Sequence, residues 1–157
     1  MDEIERKFLL DELPPRTSDI EPTEINQGYL AITDDVEVRV RKRAGKHLLT
    51  VKGGRGEVRT EITIPVSPEQ FDSLWALTEG RRISKHRWVL PHESEPQLEV
   101  EVDRFEEPQH GLLIAEVEFT SQEASRAFVP PDWFGREVTG DDRYRNAALA
   151  SEPPPPR

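Results

Sequence analysis

Short segments along this chain alternate between apolar and charged residues, and the charged residues come in pairs two positions apart. The pairs are Glu3/Glu5, Arg39/Arg41, Arg59/Glu61, Lys85/Arg87, Glu101/Asp103 and Glu116/Glu118. Side chains two residues apart on a β-strand point to the same face of the sheet. The pattern therefore predicts strands that present charge on one face and apolar side chains on the other.

Eight segments show this alternation, and we predict a strand in each of them. They are residues 3–10, 25–32, 36–43, 47–52, 58–64, 82–90, 98–105 and 112–119. Ala44-Gly45 predicts a tight hairpin turn between two of the strands. Ser67 predicts the N-cap of a helix, and Ser121 and Asp141 predict the caps of two more, the last running to about Ala150.

Two interpretations fit the charged faces. The first is an ordinary antiparallel sheet whose charged face meets water. The second follows from the grouping of like charges on one strand, which costs repulsion unless an opposing group compensates it. A barrel can supply that compensation, and eight strands are enough to close one. We therefore predict an α+β fold, namely a closed eight-stranded antiparallel β-barrel with a charged lumen and a few helices packed outside. We expect a single domain over residues 1–150 and a flexible proline-rich tail over residues 151–157.

Composition limits which binding partners and which cellular compartment we expect for this chain. The 157 residues carry a net charge of -10, so general binding to nucleic acid or to an anionic membrane is not expected. The absence of cysteine excludes disulfides, cysteine-ligated metals and a cysteine nucleophile. The chain has no secretion signal and no apolar stretch of membrane-spanning length, so we expect a cytoplasmic protein.

The predicted lumen contains bases and acids in equal number. The basic positions are Lys7, Arg39, Arg41, Lys52, Arg59, Lys85 and Arg87. The acidic positions are Glu3, Glu5, Glu61, Glu101, Asp103, Glu116 and Glu118. Guanidinium and ammonium groups bind phosphate oxygens, and carboxylates bind divalent cations. This mixture predicts a polyanion bound together with metal ions, which is the chemistry of phosphoryl transfer.

The segment Glu3-Ile4-Glu5-Arg6-Lys7 resembles the ExExK signature of the CYTH domain, the family of triphosphate tunnel metalloenzymes. The later Arg-x-Arg, Lys-x-Arg, Glu-x-Asp and Glu-x-Glu pairs follow in the order expected of that family, so the resemblance covers nearly the whole chain. It implies a barrel with a charged tunnel, and an enzyme that cleaves or cyclises triphosphates with Mg²⁺ or Mn²⁺.

The resemblance also implies roles for individual residues. The metal-binding carboxylates would be Glu3, Glu5, Asp103, Glu116 and Glu118. The phosphate-binding bases would be Lys7, Arg39, Arg41, Lys52, Lys85 and Arg87, with Arg143 near the C-terminal helix as a further candidate. Lys7 and Lys85 are also expected to act in catalysis. Tyr29 could approach Lys7 across a strand pair and exchange protons with it. Alternatively, the Tyr29 hydroxyl only satisfies a hydrogen bond at the mouth of the tunnel.

Short bacterial members of the family resemble inorganic triphosphatases, so we expect hydrolysis of tripolyphosphate to pyrophosphate and phosphate. A class IV-type adenylate cyclase and a thiamine triphosphatase are the alternative enzymes. A cyclase would need a nucleoside pocket, and the sequence offers no obvious one. A polyphosphate or nucleotide sensor without catalysis is the alternative outside the enzymes. Apolar residues on the outer wall would also allow a homodimer.

Overall fold

Strands are the main regular structure in this computed structural model, which describes residues 4–54 and 60–156. The strands are β1 (Ile4–Leu9), β2 (Thr23–Ile32), β3 (Val36–Arg43), β4 (Lys46–Gly53), β5 (Thr60–Pro65), β6 (Arg82–Pro91), β7 (Glu99–Phe105) and β8 (Leu113–Phe119). Each predicted strand is present, with ends that differ by a few residues. Glu3 and Arg59, both assigned to the predicted site, lie outside the described residues.

The helices are short. They are α1 (Pro68–Trp75), α2 (Gln122–Ala127) and α3 (Asn146–Ser151), and 3-10 turns occupy Pro15–Asp19, Ala76–Thr78 and Asp142–Tyr144. The longest, α1, has 8 residues, whereas a membrane-spanning helix needs about 20. Accordingly, no helix within residues 4–54 and 60–156 is long and apolar enough to cross a membrane.

Local sequence signals explain the ends of two helices. The Ser67 hydroxyl accepts a hydrogen bond from the Gln70 backbone N–H, and the Gln70 side-chain carbonyl accepts one from the Ser67 backbone N–H, which completes a capping box. Ser121 caps α2 through the backbone N–H of Ala124. The predicted cap at Asp141 is wrong: a 3-10 turn follows that residue, and α3 begins later, after Arg145, without a side-chain cap.

The chain divides into two compact units. Among the described residues, the first unit comprises residues 24–54, 60–84 and 143–156, and the second comprises residues 4–23 and 85–142. In the first unit, β3 and β4 form a hairpin whose turn is Ala44-Gly45, with φ of 49° and 75°. Two consecutive positive φ values are what a two-residue hairpin turn requires, so the prediction from the sequence is confirmed.

The second unit contains an apolar core between its strands and the α2 region. Its buried members are Phe8, Leu10, Trp88, Leu90, Val100, Val102, Leu113, Ala115, Val117, Phe119, Phe128 and Phe134. Most of these residues alternate along β1, β6, β7 and β8 with the charged residues of the predicted site. Burial of this apolar face therefore directs the charged side chains to the opposite face of the same strands.

The predicted closed barrel is wrong. The strands form one antiparallel sheet in the order β1-β8-β7-β6-β2-β3-β4-β5, with β6 beginning in the first unit and continuing in the second. Closure would require β1 and β5, the two ends of this order, to pair with each other. No ladder between them is present in the described part of the chain.

Backbone hydrogen bonds at the outer edge of β1 give the physical reason. Lys7 and Leu9 turn their backbone groups away from β8, toward residues 135–139. The Leu9 N–H donates to the Arg136 carbonyl, and the Leu9 carbonyl accepts from Gly135. The Lys7 carbonyl likewise accepts from Val138. Residues 135–139, which we call the edge segment, thus use the groups that another strand would need in order to close the sheet.

Candidate functional site

Strand register places the charged side chains of the second unit in rows across one face of the sheet. Glu116 in β8 lies opposite Lys7 in β1 and opposite Glu101 in β7. The next row pairs Glu5 with Glu118. Because facing residues in neighbouring strands lie about 5 Å apart, these rows bring like and unlike charges together.

Glutamates line a cavity of about 310 Å³ on this face. The lining residues are Glu5, Gln97, Leu98, Glu99, Glu101, Glu116, Glu118, Phe119 and Thr120. Of the metal-binding carboxylates expected from the sequence, Glu5, Glu116 and Glu118 contribute to this wall. Glu99 and Glu101 contribute too, although the predicted metal set did not include them. We call this space the glutamate cavity.

Two of the glutamates that line the glutamate cavity also form ion pairs with basic side chains. The ammonium group of Lys7 lies 3.2 Å from Glu116 Oε1, and Arg87 Nη1 lies 3.0 Å from Glu101 Oε2. The same carboxylates therefore face the cavity and hold cationic side chains beside it. This arrangement can bring a metal ion bound by carboxylates close to phosphate oxygens bound by bases.

Asp103 lies at the centre of a buried ion cluster. Its Oδ1 accepts from Arg87 Nε at 2.7 Å, and its Oδ2 accepts from Arg87 Nη2 and from Lys85 Nζ, each at 2.8 Å. Asp103 is only 3% exposed and Lys85 only 1%. Both carboxylate oxygens of Asp103 are thus engaged with cations, and Asp103 does not line the glutamate cavity.

Burial and charge shift the pKa values of this cluster in different directions. Burial alone would raise the pKa of Asp103, but the charges of Lys85 and Arg87 outweigh it and lower the pKa to about 2. Burial lowers the pKa of Lys85, and the attraction of Asp103 offsets only part of that effect. For Arg87, burial is outweighed by the hydrogen bonds and charge of Asp103, so its pKa is raised.

The pKa of Glu101 is shifted in the opposite direction to that of Asp103, because Glu101 is partly buried and lies near two other carboxylates. Burial raises the pKa of Glu101, and although the charge of Arg87 opposes this, the charges of Asp103 and Glu116 add to it. A cation bound in the glutamate cavity would relieve the repulsion between Glu101 and Glu116. Repulsion between these carboxylates in the folded chain therefore favours binding of a cation.

The donor set of the glutamate cavity fits a hard divalent cation. Carboxylate oxygens are the ligands that Mg²⁺ and Mn²⁺ prefer, and Mg²⁺ is commonly held by one or two carboxylates together with water and substrate phosphates. No group of three His, Cys, Asp or Glu side chains in the described ranges converges closely enough to hold a metal by itself. The cavity therefore fits an ion that completes its coordination with phosphate and water.

The first unit carries the remaining predicted bases. Tyr29 in β2 faces Arg39 in β3, and Gln27 faces Arg41. The sequence allows Tyr29 to approach Lys7 across a strand pair; in the β2–β3 pair its cross-strand partner is Arg39. Burial raises the pKa of Tyr29, while the charge and hydrogen bond of Arg39 lower it in part. Nε of Arg39 is a buried donor for which the described chain supplies no acceptor.

Two further predicted bases are less enclosed. Lys52 lies 3.7 Å from Glu61 across the β4–β5 pair, and its side chain is 25% exposed. Arg143 lies on a 3-10 turn, where its guanidinium is 5.9 Å from the ring centre of Tyr144. Cross-strand register thus accounts for the partner of Lys52, whereas Arg143 lies outside the strands.

Sequence reasoning missed Glu99 and Gln27. Glu99 has the same strand parity as Glu101 and Asp103, so the charged pair on β7 extends to a third residue. Gln27 has the same parity as Tyr29, but a glutamine in a strand carries no charge signal. Only the structure shows that its side chain forms hydrogen bonds with Arg41 and with Tyr29, two of the predicted site residues.

Known proteins resemble this chain over nearly its whole length. A family model described as the CYTH domain matches residues 1–140. A protein of Nitrosomonas europaea named inorganic triphosphatase is 43% identical over 153 residues, which covers 96% of this chain and 97% of the relative. A protein of Acetivibrio thermocellus with the same name is 39% identical over 154 residues, covering 96% and 94%. A crystal structure of the inorganic triphosphatase NE1496 is 39% identical, with a TM-score of 0.79 and coverage of 99% and 98%.

Proposed function

The chain belongs to the CYTH domain family, and from this premise we propose that it hydrolyses inorganic triphosphate to pyrophosphate and phosphate with a divalent metal ion. The glutamate cavity bordered by cationic side chains is the observation that carries the proposal. The names of two relatives, 43% and 39% identical over nearly their whole length, agree with it.

The carboxylates available to the metal are Glu5, Glu101, Glu116 and Glu118, all on the wall of the glutamate cavity; one or two of them would contact the ion, and water and phosphate would supply its other ligands. Mg²⁺ and Mn²⁺ both suit this donor set. When bound, the ion would neutralise charge on phosphate oxygens and orient the attacking water. Glu3 belongs to the same proposed set because it is the first glutamate of the ExExK signature, two positions before Glu5 in the sequence.

The cationic residues would bind the substrate. Lys7 and Arg87 border the glutamate cavity, and each is now paired with a carboxylate of its wall. A bound triphosphate would offer these bases phosphate oxygens, and a bound metal ion would offer the carboxylates a positive charge. Each of these four side chains would then still face an opposite charge, so the exchange of partners avoids leaving a buried charge without a counterion. Arg39, Arg41 and Lys52 of the first unit, and Arg143, are the further candidates for binding phosphate.

Hydrolysis then proceeds at the terminal phosphorus. A water oxygen forms the new P–O bond, the bridging P–O bond breaks, and pyrophosphate leaves with the bonding electron pair. Lys7 and Arg87 would stabilise the negative charge that develops on the bridging and terminal oxygens. Tyr29 and Lys7 remain the candidates for proton transfer. The alternative in which Tyr29 only forms structural hydrogen bonds also stays open.

Lys85 and Asp103 would act through Arg87. Lys85 is 1% exposed and its ammonium group contacts Asp103, so it has little surface with which to touch a substrate. Asp103 holds two nitrogens of Arg87 and fixes the plane of its guanidinium. We therefore propose that Asp103 is a counterion that positions Arg87, in place of the metal-binding role expected from the sequence.

The experiment that tests this function compares substrates and metals in parallel. Phosphate release is measured from tripolyphosphate, ATP and thiamine triphosphate with Mg²⁺, with Mn²⁺ and with EDTA. The proposal expects turnover of tripolyphosphate in preference to both organic triphosphates, and loss of turnover in EDTA. Conversion of ATP to pyrophosphate and a cyclic nucleotide would instead support a cyclase. Tight binding of tripolyphosphate without turnover would support a sensor.

A further inference from the structure

The edge segment supplies a partner for both backbone groups of Lys7. The Lys7 N–H donates to the Thr139 hydroxyl oxygen at 2.9 Å, and the Lys7 carbonyl accepts from the Val138 N–H at 2.8 Å. With its backbone groups turned to this side, Lys7 forms a non-hydrogen-bonded pair with Glu116 in β8, the kind of pair in which facing side chains lie closest. The edge segment thus fixes the direction from which the Lys7 ammonium group reaches Glu116, at 3.2 Å.

A second hydrogen bond fixes the direction of the Thr139 hydroxyl. The hydroxyl donates to Glu137 Oε2 at 3.1 Å, so a lone pair of its oxygen is left for the Lys7 N–H. A hydroxyl that donates to a carboxylate is also a better acceptor, because successive hydrogen bonds polarise one another. Valine at position 139 would keep the branched shape of the side chain and remove both bonds.

Arg6 holds Glu137 in place. Its Nη2 donates to Glu137 Oε1 at 2.6 Å, and its Nε donates to Glu137 Oε2 at 3.2 Å. Its Nη1 donates to two backbone carbonyls at the end of α2, those of Ser125 at 2.9 Å and Phe128 at 3.2 Å. The hydrogen bonds that Arg6 donates to Glu137 lower the pKa of this carboxyl group, which therefore stays ionised near neutral pH.

Arg6 and Lys7 are neighbours in β1, so their side chains point to opposite faces of the sheet. Lys7 lies on the side of the glutamate cavity, whereas the guanidinium of Arg6 lies 5.4 Å from the ring centre of Phe8, a residue of the apolar core. The hydrogen bonds run from Arg6 through the edge segment and back to the backbone of Lys7. A cation anchored on the core side therefore helps to set the position of a cation on the cavity side.

We propose that Thr139 is a positioning residue: its hydroxyl, held by Glu137, fixes the backbone of Lys7 and thereby aims the Lys7 ammonium group at a phosphate oxygen of the substrate. This inference rests on the proposed function, because that function assigns phosphate binding to Lys7. Thr139 does not line the glutamate cavity, so its effect on the reaction is exerted through Lys7.

Substitutions at position 139 test the role of the hydroxyl. Thr139→Val removes the hydroxyl and keeps the shape of the side chain, whereas Thr139→Ser keeps the hydroxyl. With Mg²⁺ and tripolyphosphate, Thr139→Val should lower kcat/KM by about tenfold, and Thr139→Ser should stay within about twofold of the wild type. Thr139→Ala removes the same hydroxyl and replaces the valine variant if that variant does not fold. Wild-type kinetics without the hydroxyl would overturn the inference.

Thr33→Val is the matched control. Thr33 is also an exposed threonine, and its hydroxyl accepts from the backbone N–H groups of Asp35 at 3.3 Å and Val36 at 3.0 Å. It lies between β2 and β3 and is not a residue of the proposed site. This variant makes the same chemical change and should alter kcat/KM by less than about twofold. If it lowers kcat/KM as much as Thr139→Val does, the inference is wrong.

A double-variant cycle separates positioning from general stability. If Thr139 acts through Lys7, Thr139→Val should lower kcat/KM no further in a Lys7→Gln background. Additive losses would show that Thr139 acts elsewhere. Amide hydrogen exchange followed by NMR measures the hydrogen bond itself: exchange of the Lys7 N–H should be faster in Thr139→Val and unchanged in Thr33→Val. Unchanged exchange in Thr139→Val would contradict the inference.

Failure of the proposed function would give a different result. A wild-type protein that binds tripolyphosphate with Mg²⁺ and does not hydrolyse it would refute hydrolysis alone. The same variants are then compared by calorimetry, and Thr139→Val should weaken tripolyphosphate binding by about tenfold while Thr139→Ser does not. Equal binding by the two variants would overturn the inference, and a wild type that binds no tripolyphosphate would overturn both.

Discussion

Asp103→Asn is the substitution with the clearest expected effect on stability. The carboxylate of Asp103 is nearly inaccessible and is shared by Lys85 and Arg87. Its pKa falls from 3.8 to about 2 on folding. At about 1.4 kcal/mol per pKa unit, the ionised form stabilises the fold by roughly 2–3 kcal/mol. Removing one partner of a buried ion pair costs about 3–5 kcal/mol in other proteins, which is of the same order.

The pH dependence of this loss has a definite sign. A carboxyl group whose pKa is lowered in the folded state stabilises that state fully above its unfolded pKa of 3.8. The contribution disappears as the pH falls through about 2. The difference in free energy of unfolding between wild type and Asp103→Asn should therefore be about 3 kcal/mol at pH 7 and shrink below about pH 4.

Urea unfolding followed by circular dichroism at several pH values measures this difference. Glu118→Gln is the matched control, because Glu118 lies exposed on the wall of the glutamate cavity and should change stability by less than about 0.5 kcal/mol. The reasoning is refuted if Asp103→Asn unfolds like the wild type while its requirement for metal rises. That result would make Asp103 a metal ligand, as the sequence analysis expected.

Three further predictions concern rate, metal affinity and packing. Lys85→Ala should lower kcat/KM for tripolyphosphate by about 10²-fold, because Asp103, which orients Arg87, loses one of its two cationic partners and Arg87 shifts; unchanged kinetics would contradict this role. Glu116→Gln should raise the Mg²⁺ concentration needed for half-maximal activity by about 10–100-fold in a metal titration, and an unchanged titration would exclude Glu116 from the metal site. Gly28→Ala should lower the free energy of unfolding by about 1–3 kcal/mol in urea, because its Cβ would overlap the side chain of Thr78; an unaltered midpoint would show that Thr78 moves aside at no cost.

Strand positions could be predicted from the sequence because each strand carries its own period-two signal. The turn at Ala44-Gly45 and the caps at Ser67 and Ser121 are likewise local, and the structure confirms them. Closure of the sheet is not a local property. It depends on which backbone groups occupy the outer edge of β1, and the edge segment that does so has no periodicity of its own.

The roles of the carboxylates show a similar limit. Glu101 and Asp103 belong to one charged pair in the sequence, and both point to the same face of β7. Register then separates them: Glu101 lies opposite Glu116, whereas Asp103 lies opposite Arg87. One carboxylate therefore lines the glutamate cavity and the other neutralises a buried cation cluster. The charged face could be predicted from the sequence. Which carboxylate lines the cavity and which pairs with buried cations depends on pairing between strands that are distant in the sequence.

The most direct test of the proposed reaction is the identity of its products. Phosphorus NMR of tripolyphosphate incubated with the full chain and Mg²⁺ should show pyrophosphate and phosphate appearing in equal amounts, and no change in EDTA. Equal amounts follow from attack at the terminal phosphorus with pyrophosphate as the leaving group. A tripolyphosphate spectrum that stays unchanged with Mg²⁺ and with Mn²⁺ would contradict the account.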